Sequence, residues 1–321
     1  MRRAFGVLVG LVTLLAAAAC DDGDASGDGG AGGVGGQGGA PPGDARPAGV
    51  ALCYTDLSRS HPATQAFYAA LSGGHAADRL AAITALEAAR AEHPNEEQLA
   101  LLVGLGYLWR IAEPLPEEAG DLAVTAASAT KSRDALEAAY ALCPTDHRIP
   151  AWLGPILVNT GRALGDEATV AEGLAVLQQG IDHYPSFVLF SKLLVYADLP
   201  ATDPDFQMAL AAVEANTDYC ASGSPDDPAC LNTAAAWHNV EGASVFMGDV
   251  FAKAGRKADA LGFYEQAKTS ATYADWPYQA LLDDRIATID ARVASFTDMD
   301  ATNDALSSWS ADNQCSICHQ Q

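Results

Sequence analysis

The sequence has few basic residues, and this shortage limits the partners that the protein can bind. Lys and Arg total 18 against 41 Asp and Glu in 321 residues, which gives a formal net charge of −23. Nucleic-acid binding requires many Lys and Arg side chains to neutralise phosphates, and anionic lipid surfaces attract clusters of the same residues. The composition therefore argues against a nucleic-acid partner and against electrostatic adhesion to lipid.

The sequence also lacks the short motifs of common enzymes. It contains no G-x-S-x-G elbow, no H-E-x-x-H pair and no Gly-Lys-Ser/Thr phosphate loop. Paired acids at Glu117–Glu118 and Asp226–Asp227 lie among turn-forming residues, where carboxylates are expected to be solvated. No catalytic residues are therefore predicted, and a redox carrier is the chemical role left open.

The signal of β-strands is almost absent as well. Between about residues 60 and 296, alternating runs of β-branched residues are missing, and alanine-rich stretches carry apolar residues three and four apart. Alanine has the highest helix propensity of all residues. The body of the chain is therefore predicted to be all-α.

An apolar run at the N-terminus is too short to span a bilayer. It covers fifteen residues, Phe5–Ala19, follows two arginines and leads through small residues into Cys20. These features predict a signal peptide over residues 1–19. The junction resembles the lipobox of bacterial lipoproteins, in which the cysteine carries lipid, although Ala17 stands where that motif has Leu. An ordinary cleaved signal followed by an unmodified cysteine is the alternative.

Residues 20–50 are predicted to form a flexible tether that begins at the lipidated cysteine. Ten of the twenty residues 21–40 are glycine, so the segment cannot bury enough apolar surface to offset the entropy lost on ordering. A coil of about thirty residues has an r.m.s. reach of about 30 Å. The lipoprotein resemblance implies a location in the bacterial cell envelope, with the protein lipid-anchored to a membrane and facing the periplasm or the exterior.

One residue pattern recurs along the body and indicates a repeated helix. A small residue is followed by a large one four positions later, by a small one after three more, and by a proline after five more. This spacing places the first three on one helical face, where small residues let a neighbouring helix approach, and the proline ends the helix. The three copies are Ala82-Leu86-Ala89-Pro94, Ser132-Leu136-Ala139-Pro144 and Gly173-Leu177-Gly180-Pro185.

The pattern resembles the second helix of the tetratricopeptide repeat family. The first helix of that repeat carries a glycine twelve positions before the first small residue, and Gly161 stands there in the third copy. In the second copy, Leu105, Gly106 and Trp109 match the first helix, with extra residues before Ser132. A fourth copy lacks the proline and comprises Met247, Gly248, Phe251, Gly255, Ala260, Tyr264 and Ala267.

The resemblance covers about residues 60–296 and implies a solenoid of helix pairs in a domain of residues 51–296. Members of the family mostly bind peptide segments or partner proteins in the groove of the array. The repeats are irregularly spaced, and a non-repeating helical bundle is the alternative. Apolar residues along one stripe predict a closing helix between Trp276 and Phe296.

Export to an oxidising compartment predicts that cysteines are paired. With Cys20 lipidated, six cysteines remain. Cys220 and Cys230 flank a polar, turn-rich loop of nine residues and are predicted to form a disulfide. By elimination Cys53 could pair with Cys143, or Cys143 could be a small hydrophobic side chain buried in a helix.

The polar tail, residues 297–321, ends in the sequence Cys315-Ser-Ile-Cys318-His319. This C-x-x-C-H spacing resembles the c-type haem attachment motif, in which both thiols bond to the haem vinyl groups and the histidine ligates the iron. Two residues follow His319, so a distal ligand would come from upstream, with Met299 and His238 as candidates. The alternatives are a disulfide or redox dithiol, or a zinc or copper site without a visible fourth ligand.

Taken together, these features predict a membrane-anchored extracytoplasmic scaffold that binds a protein or peptide partner in its repeat groove. A single covalent haem at the C-terminus is compatible with that role, and no other cofactor is predicted. The alternative function is electron transfer by a monohaem c-type protein. A second alternative is an accessory lipoprotein of a solute transporter, which a large pocket with convergent polar groups would favour.

Overall fold

The computed structural model describes residues 50–72, 76–112, 114–115, 117–118, 120–197, 199–222, 227, 229 and 238–297. Within these ranges the chain forms thirteen α-helices and one short 3-10 helix, and no strand. The all-α prediction is therefore confirmed. The predicted signal peptide, Cys20, the tether up to residue 49 and the tail from residue 298 lie outside the described residues.

Ten of these helices form five consecutive pairs. The first three pairs are α2 (Pro62–Ser72) with α3 (Ala76–Glu92), α4 (Glu97–Ala112) with α5 (Leu122–Leu142), and α6 (Pro150–Leu164) with α7 (Glu167–His183). The last two are α8 (Pro185–Tyr196) with α9 (Pro204–Ser222), and α10 (Asn239–Lys253) with α11 (Lys257–Ala267). The short α1 (Asp56–Ser60) precedes them, and a 3-10 helix (Tyr273–Asp275), α12 (Gln279–Ala287) and α13 (Ile289–Ser295) follow. None of the described helices is both long and apolar enough to cross a bilayer.

The recurring small–large–small pattern marks the buried face of the second helix in four of the pairs. All twelve of its residues are buried: Ala82, Leu86, Ala89, Ser132, Leu136, Ala139, Gly173, Leu177, Gly180, Ala260, Tyr264 and Ala267. The sequence therefore located this packing face correctly. Membership of the tetratricopeptide family and a solenoid arrangement remain predictions.

Some of the glycines that pack against this face of the second helices differ from those that the repeat spacing indicates. A Cβ added at Gly248 would lie 2.1 Å from the ring of Tyr264, and one at Gly154 would lie 2.3 Å from Leu177. In the third pair Gly154 therefore takes the place that Gly248 has in the last pair, and Gly161, which the spacing indicates, packs closely against Val170 of α7. Gly154 and Leu177 are seven residues further apart in sequence than Gly248 and Tyr264. Those seven residues are about two helical turns, so the longer pair keeps the same faces in contact.

The second pair shows the same shift of register. Gly104 packs against Leu136, and its carbonyl oxygen accepts a hydrogen bond of 2.9 Å from the Ser132 hydroxyl. Gly106, which the spacing indicates, instead packs against Ile83 of the preceding pair. Part of the predicted insertion before Ser132 is helical, because α5 extends over 21 residues.

The chain enters the helical body through a strap, residues 50–55, that crosses to the turn between α5 and α6. A disulfide joins Cys53 to Cys143, 90 residues apart, as elimination among the cysteines allowed. The Ala51 amide donates to the Thr145 carbonyl at 3.2 Å, and the Thr145 hydroxyl donates to the Ala51 carbonyl at 3.1 Å. The alternative of an unpaired hydrophobic side chain in a helix is therefore wrong, although Cys143 is fully buried where α5 ends.

For the second predicted disulfide, the structure describes one of the two cysteines. Cys220, near the end of α9, is disulfide-bonded. Cys230, the partner that the sequence predicts, lies outside the described residues.

The segment predicted as one closing helix is two helices. α12 ends at Ala287 and α13 begins at Ile289, with Thr288 between them. The Thr288 hydroxyl donates to the Asp284 carbonyl at 2.6 Å, a local bond with which threonine competes against regular helix structure. Arg285 of α12 and Arg292 of α13 both reach the carboxylate of Asp249 in α10.

Candidate functional site

Two clefts of similar construction lie between the second helices of consecutive pairs. The first cleft, about 350 Å³, lies between α3 and α5, and the second, about 320 Å³, lies between α9 and α11. The first cleft is lined by Glu87, Arg90, Ala91, Val103, Tyr107, Lys131 and Asp134. The second cleft is lined by Glu214, Thr217, Asp218, Phe251, Arg256, Ala258, Asp259, Gly262, Phe263 and Gln266.

An aromatic residue from the first helix of a pair contributes to each cleft. Tyr107 stands three residues after Gly104, and Phe251 stands three residues after Gly248. Both glycines pack against the second helix of their own pair, so the two aromatic rings occupy equivalent places in the fold. The repetition of the cleft thus follows from the repetition of the helix pair.

Tyr107 belongs to a closed set of three hydrogen bonds in the first cleft. Its hydroxyl donates to Glu87 Oε1 at 2.7 Å. Lys131 Nζ donates to the same Glu87 oxygen at 2.9 Å and to the Tyr107 hydroxyl oxygen at 2.6 Å. The ammonium also lies 4.8 Å from the centre of the Tyr107 ring, within the range of a cation–π interaction. We call these three residues the cleft trio.

Each member of the cleft trio has a shifted pKa. Burial raises the pKa of Glu87, but hydrogen bonds from Lys131 and Tyr107 together outweigh it, and the pKa lies below its ordinary value. Burial is the main cause that raises the pKa of Tyr107. Hydrogen bonds to Tyr107 and Glu87 raise the pKa of Lys131. The trio is therefore held as carboxylate, phenol and ammonium at neutral pH.

The remaining charges leave the first cleft balanced in a strongly acidic chain. Arg90 and Lys131 face Glu87 and Asp134 across it. Within the described part of the chain, the Arg90 guanidinium makes no hydrogen bond and no ion pair. Its donors are therefore available to acceptors on a bound molecule, as carboxylates and backbone carbonyls are.

The second cleft offers more aromatic surface and more negative charge. The Phe251 and Phe263 rings stack with centres 5.1 Å apart, and the Arg256 guanidinium lies 4.6 Å from the centre of the Phe251 ring. Arg256 is already ion-paired with Glu214 and with Asp259. Arg256, the basic residue of this cleft, is therefore already paired within the chain. Arg90 in the first cleft has no such partner among the described residues.

Most of the site residues indicated by the sequence lie outside the described part of the chain. They are Cys20, Cys230, Met299, Cys315, Cys318 and His319. Among the described residues, no cluster of three or more His, Cys, Asp or Glu side chains is arranged to hold a metal ion.

The candidate distal haem ligand His238 is described, and it is fully buried at the start of α10. Its Nδ1 lies 3.3 Å from Glu241 Oε1, and that oxygen accepts a hydrogen bond of 2.7 Å from the Thr272 hydroxyl. A carboxylate partner at Nδ1 orients the ring and makes Nε2 the ligating nitrogen. The ring is enclosed by the protein, and the assignment of His238 as a distal haem ligand stays a prediction.

Two acids expected to be solvated have partners within the chain, and one of them is buried. Glu118 is ion-paired with Arg110. Asp227 is almost fully buried and accepts hydrogen bonds from the Ser186 hydroxyl at 2.6 Å and from the Tyr184 hydroxyl at 3.2 Å. The expectation was wrong for Asp227, because hydroxyl groups of residues distant in sequence satisfy its carboxylate, whereas Glu118 is half-buried.

The sequence analysis missed the cleft trio for a similar reason. Glu87, Tyr107 and Lys131 come from three helices and are 20 to 44 residues apart. No local spacing connects them, and the aromatic residue three positions after Gly106, the glycine that the repeat spacing indicates, is Trp109 rather than Tyr107.

The chain was compared with models of protein families, with curated proteins and with solved structures, and no match was found. The arguments for its function therefore rest on its own residues.

Proposed function

We propose that the protein is a membrane-anchored, extracytoplasmic scaffold that binds a peptide segment of a partner protein in its first cleft. The observation that carries this proposal is the cleft itself, with the Arg90 guanidinium unpaired among the described residues beside the cleft trio. Tyr107 offers an apolar ring, and Arg90 and Lys131 offer donors to carbonyl or carboxylate oxygens of the peptide. The resemblance to tetratricopeptide repeats supports the same role.

The experiment is site-specific photo-crosslinking in cells that contain the natural envelope. A photoreactive residue at Ala91, an exposed lining position of the first cleft, is expected to give a discrete adduct. The same residue at the exposed Leu164 is the control and is expected to give none. Arg90→Gln should remove the Ala91 adduct, whereas Lys257→Met, which changes an exposed base outside the cleft, should not. Equal adducts from both positions would disprove the proposal.

The membrane anchor is tested separately, because it depends on the lipoprotein resemblance alone. We expect Cys20→Ser to release the protein from the membrane fraction and to abolish incorporation of labelled fatty acid. Retention in the membrane fraction without label would show an uncleaved signal instead. The adduct at Ala91 would stay informative in either case.

Electron transfer by one covalent haem is the second candidate function. It is favoured by the C-x-x-C-H sequence and by the buried His238, which Glu241 orients. Protein matured in cells that attach haem is expected to show the reduced α band of c-type haem and a mass increase of one haem. Cys315→Ala should remove both signals, and His238→Ala should change the band without removing the added mass. A colourless protein would exclude covalent haem, and a disulfide or a metal site would be the alternatives for the C-x-x-C-H sequence.

The transporter-accessory alternative gains no support from the two clefts. Their volumes, about 350 and 320 Å³, lie at the lower limit for small-molecule pockets. We therefore do not propose it.

A further inference from the structure

Two histidine rings stack where the strap, the second helix pair and the third helix pair meet. His147 lies in the turn between α5 and α6, and His183 is the last residue of α7. Their ring centres are 4.1 Å apart and the ring planes differ by 12°. His147 is 6 % exposed, whereas His183 is exposed and its Nδ1 donates to the Gln179 carbonyl at 2.9 Å. The buried ring is thus covered by the exposed one.

The environment of His147 is suited to a neutral ring. Its Nδ1 is buried and has no hydrogen-bond partner in the described part of the chain. The nearest acid, Asp146, is already used by Arg148, whose Nε and Nη2 donate to its two oxygens at 2.9 and 2.8 Å. Both residues of that ion pair are fully buried. A proton added to His147 would therefore lack a good acceptor for its N–H.

The electrostatics agree with this geometry. Burial lowers the pKa of His147, His183 lowers it further, and Asp146 raises it by less. Arg148 and Asp182 adjoin the two histidines in sequence, and Arg148 contacts Tyr54 of the strap. Neither these groups nor the other charged groups of α5, α6 and α7 are among the causes that shift the pKa of His147. Asp182 accepts a hydrogen bond from Gln178 at 2.7 Å.

We propose that the His147–His183 stack is an acid-sensitive joint. While His147 is neutral, the stack holds the turn over residues 143–149, which contacts the strap, against the end of α7. When the buried ring of His147 gains a proton, a cation without an acceptor lies in van der Waals contact with the second ring, so the turn and the end of α7 separate. Thr145 and Arg148, which contact the strap, lie within the same turn. The strap is therefore held less firmly when the turn moves.

The molecule contains its own control at the first helix pair. His61 directly precedes α2 and His93 directly follows α3, so they occupy the same end of their pair as His147 and His183. Their rings are 5.8 Å apart, meet edge to face at 71°, and are both half-buried. His61 Nδ1 already accepts a hydrogen bond from the Ala63 amide at 3.1 Å. The first pair therefore lacks a buried histidine ring stacked on a second one.

The sign of the pH effect follows from linkage. A histidine whose pKa is lower in the folded than in the unfolded chain binds fewer protons when folded. Its contribution to stability is complete above the unfolded pKa of about 6.5 and is lost as the pH falls towards the folded pKa. One such proton raises the unfolding equilibrium constant by up to about tenfold per pH unit.

The test is urea denaturation of the full chain, with disulfides intact, between pH 7.5 and 5. The wild type, His147→Gln, His183→Gln and the control His93→Gln are compared. We expect both variants of the stack to reduce the loss of stability on acidification, and His93→Gln to leave it unchanged. An equal slope in all four proteins, or a reduction by His93→Gln alone, would overturn the proposal.

A second measurement does not depend on the stability of the variants. Hydrogen exchange of wild-type residues 143–149, corrected for intrinsic rates, should accelerate at least tenfold between pH 7.5 and 5.5. Residues 94–97, which lie at the same end beside His93, should change much less. Equal acceleration in the two segments would disprove the joint, even if His147→Gln failed to fold.

Discussion

The molecule contains two sets of tyrosine, carboxylate and base that differ in their surroundings. The cleft trio, Glu87, Tyr107 and Lys131, lies at the surface, where the side chains of Lys131 and Glu87 are 53 % and 39 % exposed. The buried cluster joins Asp249 to Tyr264, Arg285 and Arg292, and the Asp249 side chain is fully buried.

The difference between the two sets is one of solvent access. In the buried cluster, Tyr264 donates to Asp249 Oδ1 at 2.6 Å, and Arg292 and Arg285 approach the same oxygen at 2.9 and 3.3 Å. Charge interactions are strong where water is excluded, and removal of one buried partner leaves the others uncompensated. In the cleft, water screens the same groups and their net contribution is small. The comparison indicates that similar chemistry stabilises the C-terminal end of the fold but is available for binding in the cleft.

Removal of the negative charge of Asp249 from the buried cluster is expected to have the largest effect on stability. Asp249→Asn leaves Arg285 and Arg292, each mostly buried, without their shared carboxylate. We expect a loss of about 3 kcal/mol in the free energy of unfolding, measured by urea denaturation with disulfides intact. Asp290→Asn, which removes the exposed partner of Lys257, is the matched control and should change little. Equal effects of the two variants would show that burial does not separate the two sets.

The next effect acts on the packing of Tyr264 in the buried cluster. A Cβ at Gly248 would lie 2.1 Å from the Tyr264 ring, which is fully buried and cannot move without breaking its bond to Asp249. We expect Gly248→Ala to cost about 2 kcal/mol through overpacking. Gly262→Ala, in α11 with open space around its Cβ, should instead stabilise the helix by about 0.5 kcal/mol. Opposite signs in thermal or urea denaturation confirm the close approach, and a neutral Gly248→Ala contradicts it.

The sequence predicted that Tyr264 packs against a neighbouring helix, but it did not predict every contact of this kind. The small–large–small spacing identified Tyr264 and Leu177 as packing residues, because three positions on one helix fix a face. It did not identify Gly154 as the glycine against which Leu177 packs, since lengthening both helices of a pair by a turn conserves the face and changes the sequence distance. Cys53 and Cys143 were paired by elimination, which needs no geometry.

The clusters themselves could not be predicted in this way. Arg285 and Arg292, from α12 and α13, meet Asp249 of α10 through tertiary packing, which the apolar stripe of the closing segment does not specify. Glu87, Tyr107 and Lys131 meet only when consecutive helix pairs pack. Local spacing therefore predicts the helices and their faces, and tertiary packing decides which charged groups meet.

A smaller effect is expected at Lys131 in the cleft trio. Lys131→Met keeps most of the apolar stem and removes the ammonium, so the free energy of unfolding should fall by only about 0.5 kcal/mol. The difference from wild type should shrink further at high salt, because exposed charges are screened. A loss comparable to that of Asp249→Asn would show that the cleft trio is structural rather than available for binding.

The smallest effect is the pH dependence of Glu87, and it separates the two sets most directly. Its pKa is lowered, so its contribution to stability is present above the ordinary value of about 4.3 and is lost as the pH falls through the lowered value. Partial exposure keeps this contribution to a fraction of a kcal/mol, so the measurement is the NMR titration of the Glu87 carboxyl. Lys131→Met should raise the Glu87 pKa, because it removes a hydrogen bond and a charge, whereas Asp249→Asn should leave it unchanged. If Asp249→Asn shifted the titration as much as Lys131→Met, the two ends of the molecule would be coupled, and the cleft could not act independently of the fold around Asp249.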